Sequence, residues 1–339
     1  MDTDNSVTIT MLGGPASGKT CFMLGMYDTM SCGVGGFTFL ADTNDDLVLT
    51  QRWSALIGRT GADRWPPGTS DAKQYSFKLQ RSFKTLGSFN WLDYRGGAIA
   101  DDYSEKDVQE LISHLHTSDG IFIVCPADLL LKSDTMARSQ AYIRRINLHL
   151  GTLADELDQA GKPKPIITIV LTKYDYLLAA EPDQESRRAK VIDKMKKLYE
   201  PLFGGDWLVA IMGVTLGAQL SAQPDTAEIE PQALHFPVVF TLYSRYRDYE
   251  RRWEGAVRDK IADKNEQQNA HHRNVKNMSS WEKFWNEPQP FNSAAHDAEI
   301  ENYKKYRNEW NASAEAIAEM LKDKNIDIFQ GGEEVSIVS

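Results

Sequence analysis

Eight residues near the start of the chain, Gly13-Gly14-Pro15-Ala16-Ser17-Gly18-Lys19-Thr20, fit the pattern G-x-x-x-x-G-K-[ST]. Glycines let successive backbone N–H groups turn toward an anion, the lysine brings an ammonium to the outer phosphates, and the threonine hydroxyl offers a Mg²⁺ ligand. That is the chemistry of a bound nucleoside triphosphate. Two shorter motifs follow. In Asp93-Tyr94-Arg95-Gly96 a carboxylate can hold Mg²⁺ through water, and the Gly96 amide can sense a γ-phosphate. In Thr172-Lys173-Tyr174-Asp175 the final carboxylate can accept two hydrogen bonds from the N1–H and exocyclic amine of guanine, a pair that adenine does not offer. Either short motif alone would be an ordinary solvated turn. Their order and placement after the first motif favour the functional reading.

These residues need elements to position them. Val7 to Leu12 is an apolar, β-branched run, and CFMLGMYDTM after the loop has helical spacing, so the first motif joins a strand to a helix. DYRG follows the strand-like FNWL, and TKYD follows the buried run IITIVL. Both carboxylates therefore leave the C-terminal ends of strands, the edge at which open α/β sheets bind ligands. Gln74 to Gln80 and Phe89 to Leu92 are expected to pair as an antiparallel hairpin, with a helix at Asp45 to Ile57 and a mobile loop around WPPGT before them. Beyond Gly120 the pattern alternates: strand GIFIVCPA, helix Thr135 to Gln159, strand PIITIVLT, helix Gln184 to Leu198, a last strand Trp207 to Val214, and a helix Val238 to Lys264. The expected fold is α/β, three layers with a mostly parallel sheet and helices on both faces, plus a C-terminal helical extension. Its expected organisation is a nucleotide domain over 1–264, a helical appendage over 265–328 that opens on a polar linker, NEQQNAHHRNVKN, and includes a charged helix at Ala298 to Lys322, and a flexible tail over 329–339.

Composition excludes other classes. The 339 residues carry a net charge of −10, which gives neither a nucleic-acid footprint nor attraction to an anionic membrane. No run approaches 18 apolar residues and the N-terminus lacks a secretory pattern, so a cytoplasmic protein with no membrane span is expected. Cys21, Cys32 and Cys125 have no metal-ligand spacing and are expected to be reduced core thiols. His271-His272, on a polar stretch, and His114 and His116, two apart on a helix, lack convergent partners. Trp253, Trp281, Trp285 and Trp310 are expected to pack the C-terminal helices against the nucleotide domain, with a partner-binding stripe as the alternative.

With GGPASGKT, DYRG and TKYD in this order, residues 6 to 264 resemble the GTPases of the translation-factor and Ras-like (TRAFAC) class. The Trp65 to Thr69 segment WPPGT and the helical C-terminal region look most like bacterial double-GTPase proteins. The resemblance implies a Ras-like P-loop fold binding GTP or GDP with Mg²⁺. It assigns nucleotide contacts to Gly13, Gly14, Ser17, Gly18, Lys19, Thr20, Cys21, Thr172, Lys173 and Asp175. Thr215 and Leu216 match a base-contacting loop where the family has Ser-Ala, although a plain strand end fits them equally. Thr69 matches a switch threonine, though a Pro-Gly turn explains it too, so the implied metal set is Thr20, Thr69 and Asp93. The implied catalytic group is Lys19, Thr69, Gly96 and Arg95. A protein partner is implied as well: an effector, an activating protein or a second GTPase subunit. Two departures bear on rate. Gly97 stands where Ras-like members have a water-orienting glutamine, and Pro15 adds bulk at a loop position often kept as glycine. Arg95, or Arg59 and Arg64, could supply charge in cis, but a solvated surface role is favoured for them. Three functions stay open: a switch that hydrolyses GTP slowly without help, a GTP-dependent scaffold with little hydrolysis, and a P-loop ATPase.

Overall fold

The computed structural model describes residues 6–67, 73–93, 105–279, 289–322 and 326–336, with backbone alone for Ala62, Asp93, 105–108 and Ala141. The chain divides into two compact units. The first comprises 1–241 together with 320–339, and the second is the intervening 242–319.

The first unit is an α/β layer structure around a nine-stranded sheet. The strands are β1 (Ser6–Leu12), β2 (Phe37–Ala41), β3 (Lys73–Arg81), β4 (Lys84–Asp93), β5 (Gly120–Pro126), β6 (Ile166–Thr172), β7 (Leu208–Gly213), β8 (Asp327–Gln330) and β9 (Glu333–Val335), in the spatial order 2-3-4-1-5-6-7-8-9. From β4 through β7 neighbours run parallel, and the two margins are antiparallel. The β5 and β6 runs are almost wholly apolar because both of their faces are covered, as parallel strands require. On one face lie Ile121, Ile123, Ile167 and Ile169, packed with Leu111 and Leu115 of α3 (Glu105–Thr117), Ile146 and Leu150 of α5 (Ala141–Gln159) and Met195 of α7 (Gln184–Leu198). Two short helices, α4 (Asp134–Arg138) and α8 (Glu200–Gly204), precede α5 and β7 respectively. On the other face Phe122 meets Phe22 of α1 (Lys19–Ser31), and Thr168 meets Thr241 early in α9 (Phe236–Asn277). Gly120 is a glycine because a Cβ there would stand 2.5 Å from the Thr241 methyl. At one margin α2 (Thr43–Gly58) starts where the Asp42 side chain accepts from the amides of Asn44 and Asp45.

Four sequence expectations need correction. The helix drawn over Thr135 to Gln159 is two helices, separated by Ser139 and Gln140. β2 joins the sheet beyond β3, after a glycine-rich turn whose β-branched content is too small to announce a strand. The stretch NEQQNAHHRNVKN is not a linker but the end of α9, which runs 42 residues. In place of a frayed tail, Asp327–Val335 forms β8 and β9, with Phe329 buried against Phe203 and Arg188 bridging Asp327 and Glu334. β7 is therefore not the last strand.

The second unit is an antiparallel pair made from the later part of α9 and α10 (Ala294–Leu321). Trp310 packs on Tyr246 and Tyr249, and Trp253 stacks on Tyr306 with ring centroids 4.8 Å apart. These tryptophans hold the unit's own helices together. Lys260–Glu299 and Lys264–Asp297 pair across the same seam. Trp281 and Trp285 lie outside the described residues.

Phe329 is 2 % exposed at the β8 end, so Phe329→Ala should lower stability by about 3–5 kcal/mol. Urea unfolding measures this, and a loss under about 1 kcal/mol would contradict the pairing of the C-terminal strands with the sheet.

Candidate functional site

β1 is flanked by parallel partners on both sides, with Met11 level with Asp93 of β4 and Leu12 level with Ile123 of β5. The chain first builds the sheet to one side of β1, then crosses and builds to the other. β1 is thus the point where strand order reverses, and a crevice opens beyond its C-terminal end. The loop Gly13 to Thr20 leaves β1 there.

The loop's shape follows from close approaches. A Cβ on Gly13 would lie 2.7 Å from the Val124 carbonyl oxygen, and one on Gly14 would lie 2.6 Å from the Tyr142 ring. Ala16 (φ 53°) and Gly18 (φ 88°) take left-handed backbone, which curls the loop before α1 begins with no side-chain cap. Lys19, 7 % exposed, folds back over the loop. Its Nζ donates to Gly13 O at 2.8 Å and Gly14 O at 2.9 Å, with Ser17 Oγ at 3.4 Å.

The second half of the site comes from the ends of β6 and β7. Thr172 donates its hydroxyl to Ser17 O at 2.6 Å, a buried bond that fastens the β6 end to the phosphate loop. Lys173, exposed and left-handed at φ 53°, turns the chain into α6 (Asp175–Ala180). Tyr174 fills the space beside Gly213, where a Cβ would meet its ring at 2.6 Å, and its amide donates to Val214 O. These constraints bring Asp175, 2 % exposed, beside Thr215. Asp175 Oδ1 accepts from the Thr215 hydroxyl at 3.0 Å, while Oδ2 is buried with no hydrogen-bond partner. Burial pushes the Asp175 carboxyl above its ordinary range, and the Thr215 hydroxyl and neighbouring Ser221 oppose that rise. The loop carrying Thr215 and Leu216 is laced to the chain at 230–232: Gln232 N donates to Thr215 O at 2.8 Å and Glu230 N to Leu216 O at 2.7 Å.

Both halves line one cavity of about 530 Å³, a size suited to a nucleotide. Its walls include Pro15 through Phe22, Thr172, Lys173, Asp175, Tyr176, and Val214 through Leu216. Ser17, Gly18, Lys19, Thr20, Cys21, Thr172, Lys173, Asp175, Thr215 and Leu216 all line this cavity, whereas Gly13 and Gly14 are not in its wall. Burial lifts the Cys21 thiol to about 11, so it lines the wall as a neutral thiol. Sequence patterns missed the apolar wall of Trp65, Pro66, Pro67, Leu220, Pro224 and Leu234. Leu220, Pro224 and Leu234 sit in an irregular connection that carries no motif.

Other expectations fare differently. Thr69, Arg95, Gly96 and Gly97 lie outside the described residues. Asp93 ends β4 at the correct edge, with its backbone alone described. Arg59 is exposed, but Arg64 is not a solvated arginine: at 4 % exposure it donates to Leu56 O at 3.3 Å and Ala227 O at 2.7 Å. Cys32 is exposed instead of buried, while Cys125 is a core thiol pushed up to about 12 by burial. His116 pairs with Glu156, and His271 bonds Gln289 O. Among the described residues no three His, Cys, Asp or Glu side chains cluster as metal ligands, and no helix is long and apolar enough to cross a membrane. Mg²⁺ needs no such cluster when phosphate oxygens and water complete its octahedron. Thr20, in the cavity wall, is of a residue type that fits that role.

No protein-family model matches the chain, and no curated protein matches it either. The solved structures to which it is similar at low identity include the following three. One is the signal recognition particle receptor SRb-GTP/SRX complex of Chaetomium thermophilum, at 14 % identity and TM-score 0.35 over 62 % of this chain and 90 % of that one. Another is translation elongation factor SelB of Methanococcus maripaludis with the GTP analogue GppNHp, at 15 % and 0.32 over 71 % and 34 %. The third is the GTP-bound Ski7 GTPase-like domain of S. cerevisiae, at 14 % and 0.40 over 70 % and 49 %. At these scores the site stands on its own geometry.

Thr172→Val keeps the shape of the β6 end but removes the donor to Ser17 O. The loop should lose its fastening, and triphosphate affinity should fall by roughly tenfold, as expected for about 1–1.5 kcal/mol. Unchanged affinity by calorimetry would show that the bond does not hold the loop.

Proposed function

We propose that this protein is a guanine-nucleotide-binding switch that takes Mg²⁺–GTP in the cavity between the phosphate loop and Asp175, hydrolyses it slowly by itself, and controls the binding of a protein partner. The observation that carries the proposal is the buried Asp175 carboxylate, whose one oxygen is satisfied by Thr215 while the other has no partner, in the same cavity as the loop. An acceptor buried without a donor costs about 1–3 kcal/mol, and a guanine edge offers the missing N–H groups. ATP fits this end of the cavity poorly, because adenine presents no matching donor pair.

In this reading the loop amides and the α1 N-terminus bind the phosphates, and Lys19 exchanges loop carbonyls for phosphate oxygens. Thr20 and Asp93 would hold Mg²⁺, which supplies neutralisation of phosphate charge when bound. Thr215 orients Asp175, and Lys173 and Leu216 border the base. Thr69 and the Asp93–Gly96 turn are proposed to respond to the γ-phosphate. Gly97 brings no side chain to orient the attacking water, which supports slow turnover. The scaffold alternative rests on the same glycine, and single-turnover hydrolysis with and without a partner separates the two.

Asp175→Asn should weaken GDP binding by about 10²-fold or more while improving binding of xanthosine diphosphate, because the base edge then needs the opposite pattern of donors and acceptors. Competition calorimetry checks it, and tight ATP binding that GTP cannot displace would end the guanine assignment. Lys19→Ala should abolish triphosphate binding.

The pH dependence has a definite sign. Guanine recognition uses the ionised carboxylate, and burial raises the Asp175 value above the ordinary figure of about 4, so protonation begins at a higher pH than for a solvated aspartate. GDP affinity should therefore fall as pH drops through that raised value. Inorganic tripolyphosphate, which does not reach for Asp175, serves as the control for acid effects on the loop. Equal loss of both ligands would contradict the role given to Asp175.

A further inference from the structure

The nucleoside end of the cavity has a wall that no motif accounts for. Trp65, Pro66 and Pro67 approach from the segment after α2, and Leu220, Pro224 and Leu234 approach from the connection between β7 and α9. Ser221 in that connection stands beside Asp175, so this is the base side of the cavity. The two segments are fastened to each other. Gly61 N donates to Asp225 O at 2.9 Å, Arg64 N donates to Gly61 O at 3.1 Å, and the Arg64 guanidinium reaches Ala227 O at 2.7 Å. The same guanidinium donates through Nε to Leu56 O near the end of α2, and it lies 5.7 Å from the centre of the Trp65 ring.

A guanidinium that is 4 % exposed is costly to bury, so a position that keeps one needs its fork of donors. Here the fork spans two carbonyls 171 residues apart in sequence, Leu56 and Ala227, which a lysine ammonium on a single stem cannot span in the same geometry.

We infer that Arg64 is a positioning residue for the nucleoside: its buried guanidinium latches the Gly61–Pro67 segment to the β7–α9 connection, and thereby sets the Trp65 indole as an apolar wall against the base and ribose. The inference rests on the guanine-site reading given above and adds to it a second determinant of affinity, one that is indifferent to the donor pattern of the base. Asp175 selects which purine binds. Trp65 sets how long any purine nucleoside stays, because an indole and two prolines present apolar surface to a ring face or to ribose C–H groups.

The experiment compares the full-length protein with Trp65→Ala, Trp65→Phe, Arg64→Lys and Arg64→Ala. Readouts are stopped-flow dissociation of fluorescent GDP, calorimetry with inorganic tripolyphosphate, and near-ultraviolet circular dichroism for folding. Trp65→Ala should speed GDP dissociation by about tenfold or more, the loss expected for one aromatic face, while Trp65→Phe stays within about threefold. Arg64→Lys should reproduce most of the Trp65→Ala acceleration while the protein stays folded and tripolyphosphate affinity is unchanged. In an Asp175→Asn background, Trp65→Ala should accelerate xanthosine diphosphate release by the same factor. Arg64→Ala is expected to weaken the fold as well, and Arg64→Lys keeps the test decisive if it does.

Unchanged GDP dissociation in folded Trp65→Ala and Arg64→Lys overturns the inference. So does an equal loss of tripolyphosphate binding, which would mean a general disturbance of the loop. A wild-type protein that binds tripolyphosphate but no guanine nucleotide would instead overturn the guanine-site reading itself. Failure of the wall alone shows up as an Asp175→Asn switch to xanthine that survives while the Trp65 and Arg64 variants release GDP at the normal rate.

Discussion

Parallel pairing on both sides of β1 is the constraint from which the rest of the site follows. A parallel sheet sends every strand's C-terminal end to one edge, and the reversal of strand order at β1 opens a crevice there. Gly13 to Thr20 leaves β1 into that crevice, Asp93 ends the neighbouring strand level with Met11, and Thr172 ends β6 close enough to bond the loop through Ser17. Three segments far apart in sequence meet because the backbone ladder leaves them no other place.

Within that edge the two halves differ in how their polar groups are satisfied. The phosphate loop is closed on itself, with the Lys19 ammonium on the carbonyls of Gly13 and Gly14. Asp175 accepts on one oxygen from the Thr215 hydroxyl, which also reaches Gly217 O at 3.0 Å, and has no partner on the other, at 2 % exposure. A charged acceptor kept in that state is held there by its surroundings: Tyr174 against Gly213, the left-handed turn at Lys173, and the lacing of Thr215 to Gln232. Asp175 lines the same cavity as the loop, whose own lysine is already bonded to loop carbonyls.

Much of this was legible in the residues. The spacing of GGPASGKT between an apolar run and a helix placed the loop, and the apolar FNWL and the β-branched IITIVL placed β4 and β6, the signal being stronger in β6 because both of its faces are buried. Thr215 could be named only through resemblance, and its bond to Asp175 explains why a threonine serves there. Arg64 was misjudged because a guanidinium usually seeks water; its partners are carbonyls of Leu56 and Ala227, which no sequence spacing relates. The strands near Phe329 were missed for a similar reason. Their pairing with β7 follows a 78-residue excursion through the helical unit, and short antiparallel margins need few β-branched residues. The polar stretch at the end of α9 looked like a linker, yet its contact with α10 uses polar side-chain pairs such as Gln267–His296 that composition alone does not distinguish from a solvated coil.

The most direct measurement is an experimental structure of the protein with Mg²⁺ and GDP bound. The account predicts the phosphates within the Gly13–Thr20 loop, Lys19 Nζ on a phosphate oxygen, and Asp175 accepting from both guanine N1–H and the exocyclic amine at about 2.7–3.0 Å. A nucleotide whose base lies away from Asp175, or whose phosphates lie outside the loop, would contradict it.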